Sequence, residues 1–322
     1  MRRVVARICG DHPDALVAYQ GAWAVPWFAD IDRSRRRILC LHDSIRRYAP
    51  ILPSFRGLAD GIICNGASTA AEIPQWLPGI TAERIAAPLL PIVPPAGLAA
   101  ERNANTGRVV GFAGRVERAH KGAHRLVPFV AELRRLGLDC RVEVMGDGRL
   151  LSWLQRRLRH DDGVRFLGRQ GEAEYWRRFQ TWDAIVSFSD HEGGPITLLE
   201  AMAAGTIPVY PAIGGSLGDD YAPQVDPRCH YAAGDPLTAA RTVEWILGLP
   251  AEELQRMRAK ARAVVQPHAS PTTYEEVFAA FAQRIATLPR ISREPRGDRR
   301  ARLEDWLPLG LVTRWRPGAL NR

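Results

Sequence analysis

The sequence predicts an α/β protein made of two parallel-sheet halves. Three observations carry this. Short apolar runs rich in β-branched residues alternate with segments of helical periodicity, once in residues 1–92 and again after residue 107. A proline-rich stretch separates the two series: Pro88, Pro91, Pro94 and Pro95, then the polar segment from Gly97 to Gly107. Several strands also run through glycine into a helix start, which presents the carboxyl ends of a parallel sheet to a ligand.

In the first half, Met1 to Cys9 predicts a short helix closed by Gly10. Ala15 to Tyr19, Arg37 to Leu41 and Ala59 to Asn65 predict strands, the second leading into His42 and Asp43. Ser68 and Glu72 predict a helix start after the third. In the second half, strands are expected at Val109 to Ala113, Cys140 to Met145, Val164 to Leu167, Ala184 to Phe188 and Pro208 to Tyr210. Helices are expected at Arg125 to Leu136, Leu150 to Leu158, Glu172 to Phe179, Pro236 to Leu247, Ala251 to Val264 and Tyr274 to Leu288. The domain division is residues 1–92, a linker at 93–107, a second domain at 108–290, and a basic tail at 291–322.

The most informative stretch runs from Asp190 to Gly205. Gly193 and Gly194 permit a sharp turn and a close backbone approach to a ligand. Pro195 suits the first helical position and Gly205 the residue past the end. A helix of roughly ten residues then begins at a strand end, with its free N–H groups facing a crevice, as a phosphate site requires. Glu192 precedes the helix, and Glu200 lies about 7–8 Å along its axis from the start. The bland alternative is a surface loop with a solvated Glu192.

The net charge is +9, almost entirely from arginine; Lys121 and Lys260 are the two lysines. This favours anionic partners. Nucleic acid is not expected, because no helix-turn-helix, zinc finger or aromatic RNA-binding strand is present. No apolar run reaches membrane-spanning length, and the basic start is not followed by a signal-peptide core. Cys9, Cys40, Cys64, Cys140 and Cys229 lack metal-ligand spacing and read as free thiols in a reducing, cytoplasmic setting. Asp30-Ile31-Asp32 imitates a metal-binding Asp-X-Asp, but no strand leads into it and it reads as chance. In the tail, five arginines from Arg293 to Arg302 precede Trp306 to Val312 and Arg314-Trp315-Arg316. This is either a strap packed on the first domain or a contact with an anionic membrane surface or a partner.

Gly114-Arg115 ends a predicted strand, and Lys121-Gly122 follows just before a helix. Alone, such a pair reads as surface charge. With Gly111 to Arg115, Gly146-Asp147-Gly148, Phe166-Leu167-Gly168 and the Glu192-to-Glu200 spacing, the chain resembles retaining glycosyltransferases of family 4, of GT-B architecture. The likeness is strong over residues 108–290 and weaker over residues 13–75.

The resemblance implies two Rossmann-like domains facing a cleft, the first one reduced. It implies a retaining glycosyltransferase that moves a sugar from a nucleotide-diphosphate sugar to a hydroxyl acceptor, a glycan or lipid-linked glycan. It further implies no metal and no cofactor, the diphosphate being neutralised by Arg115, Lys121 and the helix dipole. Gly114, Gly193, Gly194 and the backbone of Ile196, Thr197 and Leu198 would surround the phosphates. Glu200 would bind the ribose, Glu192 the transferred sugar, and Leu167 and Gly168 would lie beside the base. His42 matches the family histidine facing the donor sugar; its plain alternative is a satisfied loop histidine. The family's first strand and glycine-rich loop have no counterpart here. The first domain is therefore reduced, or lacks its start, or is completed by another subunit or copy. The alternative functions are a nucleotide-sugar-binding subunit or inactive partner and, further off, a sugar-nucleotide epimerase.

Overall fold

The computed structural model describes residues 17–20, 36–43, 52–55, 57, 59–95, 107–269 and 271–291. The expected helix at Met1 to Cys9, Asp30 to Asp32, most of the linker after Pro95 and the tail after Ile291 lie outside these residues.

Two all-parallel sheets organise the described chain. The first has the order β1 (Val17–Gln20), β2 (Arg37–Leu41), β3 (Gly61–Cys64), β4 (Ile85–Ala86). The second contains β5 (Val109–Ala113), β6 (Arg141–Met145), β7 (Val164–Gly168), β8 (Ala184–Val186), β9 (Ile207–Ala212) and β10 (His230–Ala232). Its order is β10-β9-β8-β5-β6-β7: the chain winds outward from β5 to β7 and then reverses, placing β8 on the other side of β5. Ligand crevices in open α/β sheets form at such reversals, outside the carboxyl ends of the strands.

The helices are α1 (Ala67–Trp76), α2 (Leu126–Arg135), α3 (Leu151–Arg157), α4 (Glu172–Thr181), α5 (Ile196–Ala203), α6 (Leu217–Val225), α7 (Pro236–Leu247), α8 (Ala251–Val265) and α9 (Pro271–Thr287). The central strands β5, β6, β8 and β9 are almost wholly buried, as their β-branched composition requires. On β5, Gly111 leaves the space filled by the buried Trp182 ring; a Cβ there would lie 2.0 Å from it. The Trp182 indole N–H donates to the buried Glu143 at 2.9 Å, so neither polar group is orphaned.

Several sequence expectations change. The short strands β4 and β10 and helix α6 are not legible as periodic patterns. Yet α6 opens with a capping box in which Ser216 and Asp219 satisfy each other's backbone N–H groups. Ser68 does not start α1: Gly66 holds the cap position, and Ser68 is the second helical residue. Helix α9 falls in the sequence-based second domain, but Phe281 and Ile285 pack on the first sheet, beside Ile38, Cys40, Ile63 and Ala86. A Cβ on Gly61 would lie 2.7 Å from Ile285, so the glycine admits this helix.

The halves are joined at two further places. Thr69 on α1 donates to the Gly215 carbonyl at 2.7 Å, just before α6. The buried His268 ties the two chain crossings together. Its Nδ1–H donates to the Leu90 carbonyl at 2.6 Å, which leaves Nε2 to accept from the Tyr221 hydroxyl at 2.8 Å. Ile92 N–H donates back to the His268 carbonyl at 2.8 Å.

Burial holds His268 below the usual histidine range, against the opposing pull of the Leu90 carbonyl. The unfolded chain therefore takes up this proton first as pH falls. The stabilisation is complete above the ordinary histidine pKa and is lost on acidification below it. His268→Ala is expected to cost about 1–3 kcal/mol at neutral pH, by leaving Leu90 and Tyr221 unpaired. It is also expected to make stability depend less on pH between 7 and 5. Denaturant unfolding at several pH values checks both; an unchanged midpoint and slope would refute the role of His268.

Candidate active site

The crevice is floored by backbone packed closely enough to exclude side chains. After β5, Gly114 adopts φ +139°, and its N–H donates to the Met145 carbonyl at 3.0 Å. After β6, Gly146 adopts φ +134°, and a Cβ on it would lie 1.9 Å from the Gly114 carbonyl oxygen. Gly146 N–H in turn donates to Gly168 at the end of β7, at 2.8 Å. Three strand ends are thus joined by glycines, and the space where a side chain on Gly168 would stand is open.

Lys121 enters from the loop after β5. Gly122 beside it takes φ +57°, and a Cβ there would meet the Phe188 carbonyl oxygen at 2.1 Å. Arg125 fixes this loop against the end of β8, donating to Phe188 at 2.8 Å and pairing with Asp190 at 2.7 Å. Held in this way, the Lys121 ammonium hydrogen-bonds the Glu192 carboxylate. Ser189 donates to the same carboxylate oxygen at 3.4 Å. Glu192 is nearly buried, so the ammonium supplies charge compensation that water does not.

Helix α5 starts beside this pair. Pro195 is the cap residue rather than the first helical one, and the helix has eight residues. It ends as expected, with Gly205 at φ +89°. Gly205 N–H donates to Met202 and Thr206 N–H to Ala201, closing a Schellman motif. The first turn of α5 uses two of the N–H groups expected at the phosphate cradle. Ile196 N–H donates to Gly194 at 2.9 Å and Leu198 N–H to Pro195 at 2.8 Å, so neither is free. The N–H groups of Gly193, Gly194 and Thr197 have no acceptor among the described residues. The Leu198 side chain is buried in the core, whereas Ile196 is 48% exposed.

Glu200 lies one turn further along α5, half-buried, and accepts a hydrogen bond from the Tyr175 hydroxyl on α4. Burial pushes its carboxyl above the usual range, and the Tyr175 hydrogen bond opposes this. Leu167 and Gly168 end β7, the strand that leads into α4.

The first sheet closes the crevice at the glycine pair. A Cβ on Gly193 would lie 2.5 Å from the His42 carbonyl oxygen, and one on Gly194 would lie 3.2 Å from the Asn65 amide. His42 follows β2 with an exposed ring whose Nδ1 is 3.3 Å from the Asn65 oxygen. His42, Lys121, Glu192, Gly193 and Gly194 are thus gathered at one junction, while Thr197 and Glu200 stand further along α5, beside Tyr175. Arg115 is largely exposed and pairs with Glu117 at 2.8 Å rather than with Glu192.

Sequence reasoning missed three groups. His120 stands next to Lys121, with its Nε2 4.0 Å from Asp43 of the first half. Desolvation lowers its pKa, with Lys121 and Arg115 adding to that effect and Glu192 and Asp43 opposing it. Ser189 and Tyr175 are the others. Only His120 had a signal, its place beside one of two lysines.

Comparison with known proteins shows the family and the fold. The family model "Glycosyl transferases group 1" matches residues 98–264, over half of the chain. The 2-deoxystreptamine glucosyltransferase of Streptomyces kanamyceticus is 33% identical over 157 residues, 48% of this chain and 40% of that protein. A glycogen synthase of Mycobacterium tuberculosis is 31% identical over 188 residues, 57% of this chain and 44% of its own. The chain therefore spans less than half the length of these curated relatives. Among solved structures, sucrose-phosphate synthase of Thermosynechococcus elongatus superposes with TM-score 0.70 at 16% identity, covering 89% of this chain and 78% of that one. Anabaena HepE in complex with UDP and glucose gives TM-score 0.68 at 16% identity, covering 89% and 82%. At that identity the likeness is one of fold, and the fold is GT-B. The matched family model and the glycine-floored crevice within its span lead to one conclusion: the chain belongs to the glycosyl transferases group 1 family.

Proposed function

We propose that the chain is a metal-independent, retaining glycosyltransferase that uses a nucleotide-diphosphate sugar and a hydroxyl acceptor on a glycan or lipid-linked glycan. The observation that carries this reading is the Lys121–Glu192 pair beside the unpaired N–H groups of Gly193, Gly194 and Thr197, with Glu200 on the same helix. A diphosphate at the helix start meets a cation and fixed dipoles together. Lys121 shifts from Glu192 to the phosphate as the donor arrives, and Glu192 is released to the sugar hydroxyls. Arg115, which is largely exposed, swings from Glu117 to the same diphosphate. Glu200 accepts from the ribose, and the open surface at Gly168 takes the base.

In the reaction, the bond from the anomeric carbon to the phosphate oxygen breaks as the acceptor oxygen bonds to the same face. The acceptor proton passes to the departing phosphate. Negative charge grows on that phosphate, where Lys121 and the helix start stabilise it most. His42, whose carbonyl lies against Gly193, is the residue we assign to the sugar, as the family resemblance implies. A cytoplasmic enzyme, peripheral on an anionic membrane face, fits a lipid-linked acceptor; among the described residues no helix is long and apolar enough to cross a membrane. The second reading is a nucleotide-sugar-binding subunit completed by another chain. It is favoured by the donor-side groups Lys121, Glu192 and Glu200 all lying in the second half of the chain.

Nucleoside diphosphates are expected to raise the melting temperature equally with and without a chelator. Lys121→Ala and Glu200→Ala are each expected to lose about 1.5–3 kcal/mol of binding in calorimetry. Unchanged affinity in both would remove the nucleotide from this crevice, and a chelator effect reversed by manganese would remove metal independence.

Glu192→Gln is expected to bind free nucleoside diphosphate at least as tightly as the parent, because Lys121 loses its competing anion. Sugar transfer in the same preparation is expected to fall at least a hundredfold, a loss of order three kcal/mol in the transition state. Weakened nucleotide binding would place Glu192 on the nucleoside instead. Full nucleotide binding by the unaltered chain, with no transfer from any donor, would favour the binding-subunit reading.

A further inference from the structure

We propose that Tyr175 is a positioning residue of the donor site, whose hydroxyl aims the Glu200 carboxylate and keeps it available as an acceptor for the ribose. This rests on the reading that Glu200 faces the ribose. The geometry is specific. Tyr175 stands in the first turn of α4, where its N–H donates to the Gly171 carbonyl at 2.8 Å. Its ring meets Phe179 edge-on at 4.5 Å between centroids and Trp176 at 6.3 Å. Both neighbours are buried, so the ring is clamped and the hydroxyl is delivered to one place. That place is Oε2 of Glu200, with the Thr197 side chain also hydrogen-bonded to the phenol. The other carboxylate oxygen has no partner among the described residues and is the atom left for a ligand.

The chemistry explains the need for such a donor. The vicinal hydroxyls of a ribose are recognised by a carboxylate that accepts. A protonated carboxyl turns one oxygen into a donor and loses that match. Burial favours the protonated form of Glu200, and the Tyr175 hydroxyl opposes it. Burial and the nearby carboxylate also hold the Tyr175 phenol well above its usual range, so it stays a donor at neutral pH. The other charged or titratable groups on the packed elements are committed elsewhere. Arg258 on α8 pairs with Asp183 at 2.6 Å; Arg262, with no ion-pair partner among the described residues, stands against Gly205 at the far end of α5, beyond Glu200. Tyr210 on β9 bonds Ser216, and Glu174 on α4 holds Arg177 and Arg178. As pH falls, Glu200 takes up a proton and ribose recognition declines. Without Tyr175 that decline begins at higher pH.

The test is calorimetric titration of the full chain with ADP, GDP and UDP, and with the 2′,3′-dideoxy form of whichever binds, from pH 5.5 to 8. Tyr175→Phe keeps the ring and its packing. It is expected to weaken the ribonucleotide about tenfold, to move the acid limb of binding to higher pH, and to leave the dideoxynucleotide unaffected. In a Glu200→Gln background it is expected to add nothing. Equal weakening of ribo- and dideoxynucleotide, or an unmoved acid limb at unchanged affinity, would overturn the inference while leaving the donor site standing. Failure of the unaltered chain to bind any nucleotide, or of Glu200→Gln to weaken binding, would overturn the donor-site reading and the inference together.

Discussion

The close backbone approach at Gly193 and Gly194 is the constraint on which the crevice depends. Any side chain at Gly193 would collide with the carbonyl of His42, and one at Gly194 would meet Leu90 at 2.4 Å. The two sheets therefore meet at the turn that opens α5. This brings a strand end of the first half, a loop after β5 and the start of α5 to one point. A methyl group at Gly193 would push against His42 and Asp43, the segment whose Asp43 carboxylate stands 4.0 Å from His120.

Around that junction the electrostatics are arranged in advance. A nearly buried glutamate and a lysine compensate each other where an anion is expected to arrive. The N–H groups of Gly193 and Gly194, without an acceptor among the described residues, line the same place. An anionic ligand that takes the lysine frees the carboxylate, so binding at one end of the pair changes what the other can do. Glu200 is set up differently. Among the described residues it has no cation partner, only a phenol; burial raises its carboxyl pKa and the phenol opposes the rise. The two glutamates that look alike in sequence thus have different partners and different burial.

The coupling of the halves is continuous rather than confined to a linker. Helix α9 leaves the second half and packs on the first sheet, and His268 pins the outgoing chain to Leu90 of the incoming one. Asp220 on α6 lies at the uncapped start of α1, where burial raises its carboxyl pKa and hydrogen bonds from the helix start oppose the rise. Relative motion of the halves must bend around these ties, since His268 and Phe281 are almost completely buried.

The amino-acid sequence by itself determined the alternation of strand and helix, the stop at Gly205, and the strand bounds of β2 and β5. It did so because β-branched periodicity, proline and positive-φ glycine act locally. It also placed Lys121, Glu192 and Glu200 as candidates through their spacing to glycines. It did not place α9, since an amphipathic helix shows that it has an apolar face but not which sheet that face meets. It did not reveal that Lys121 touches Glu192, that Ile196 and Leu198 spend their N–H groups inside the first turn, or that Tyr175 holds Glu200. These are contacts between residues up to 71 positions apart, or choices among competing backbone acceptors. Only the tertiary structure decided them, because local propensity carries no information about which distant group fills a given direction in space.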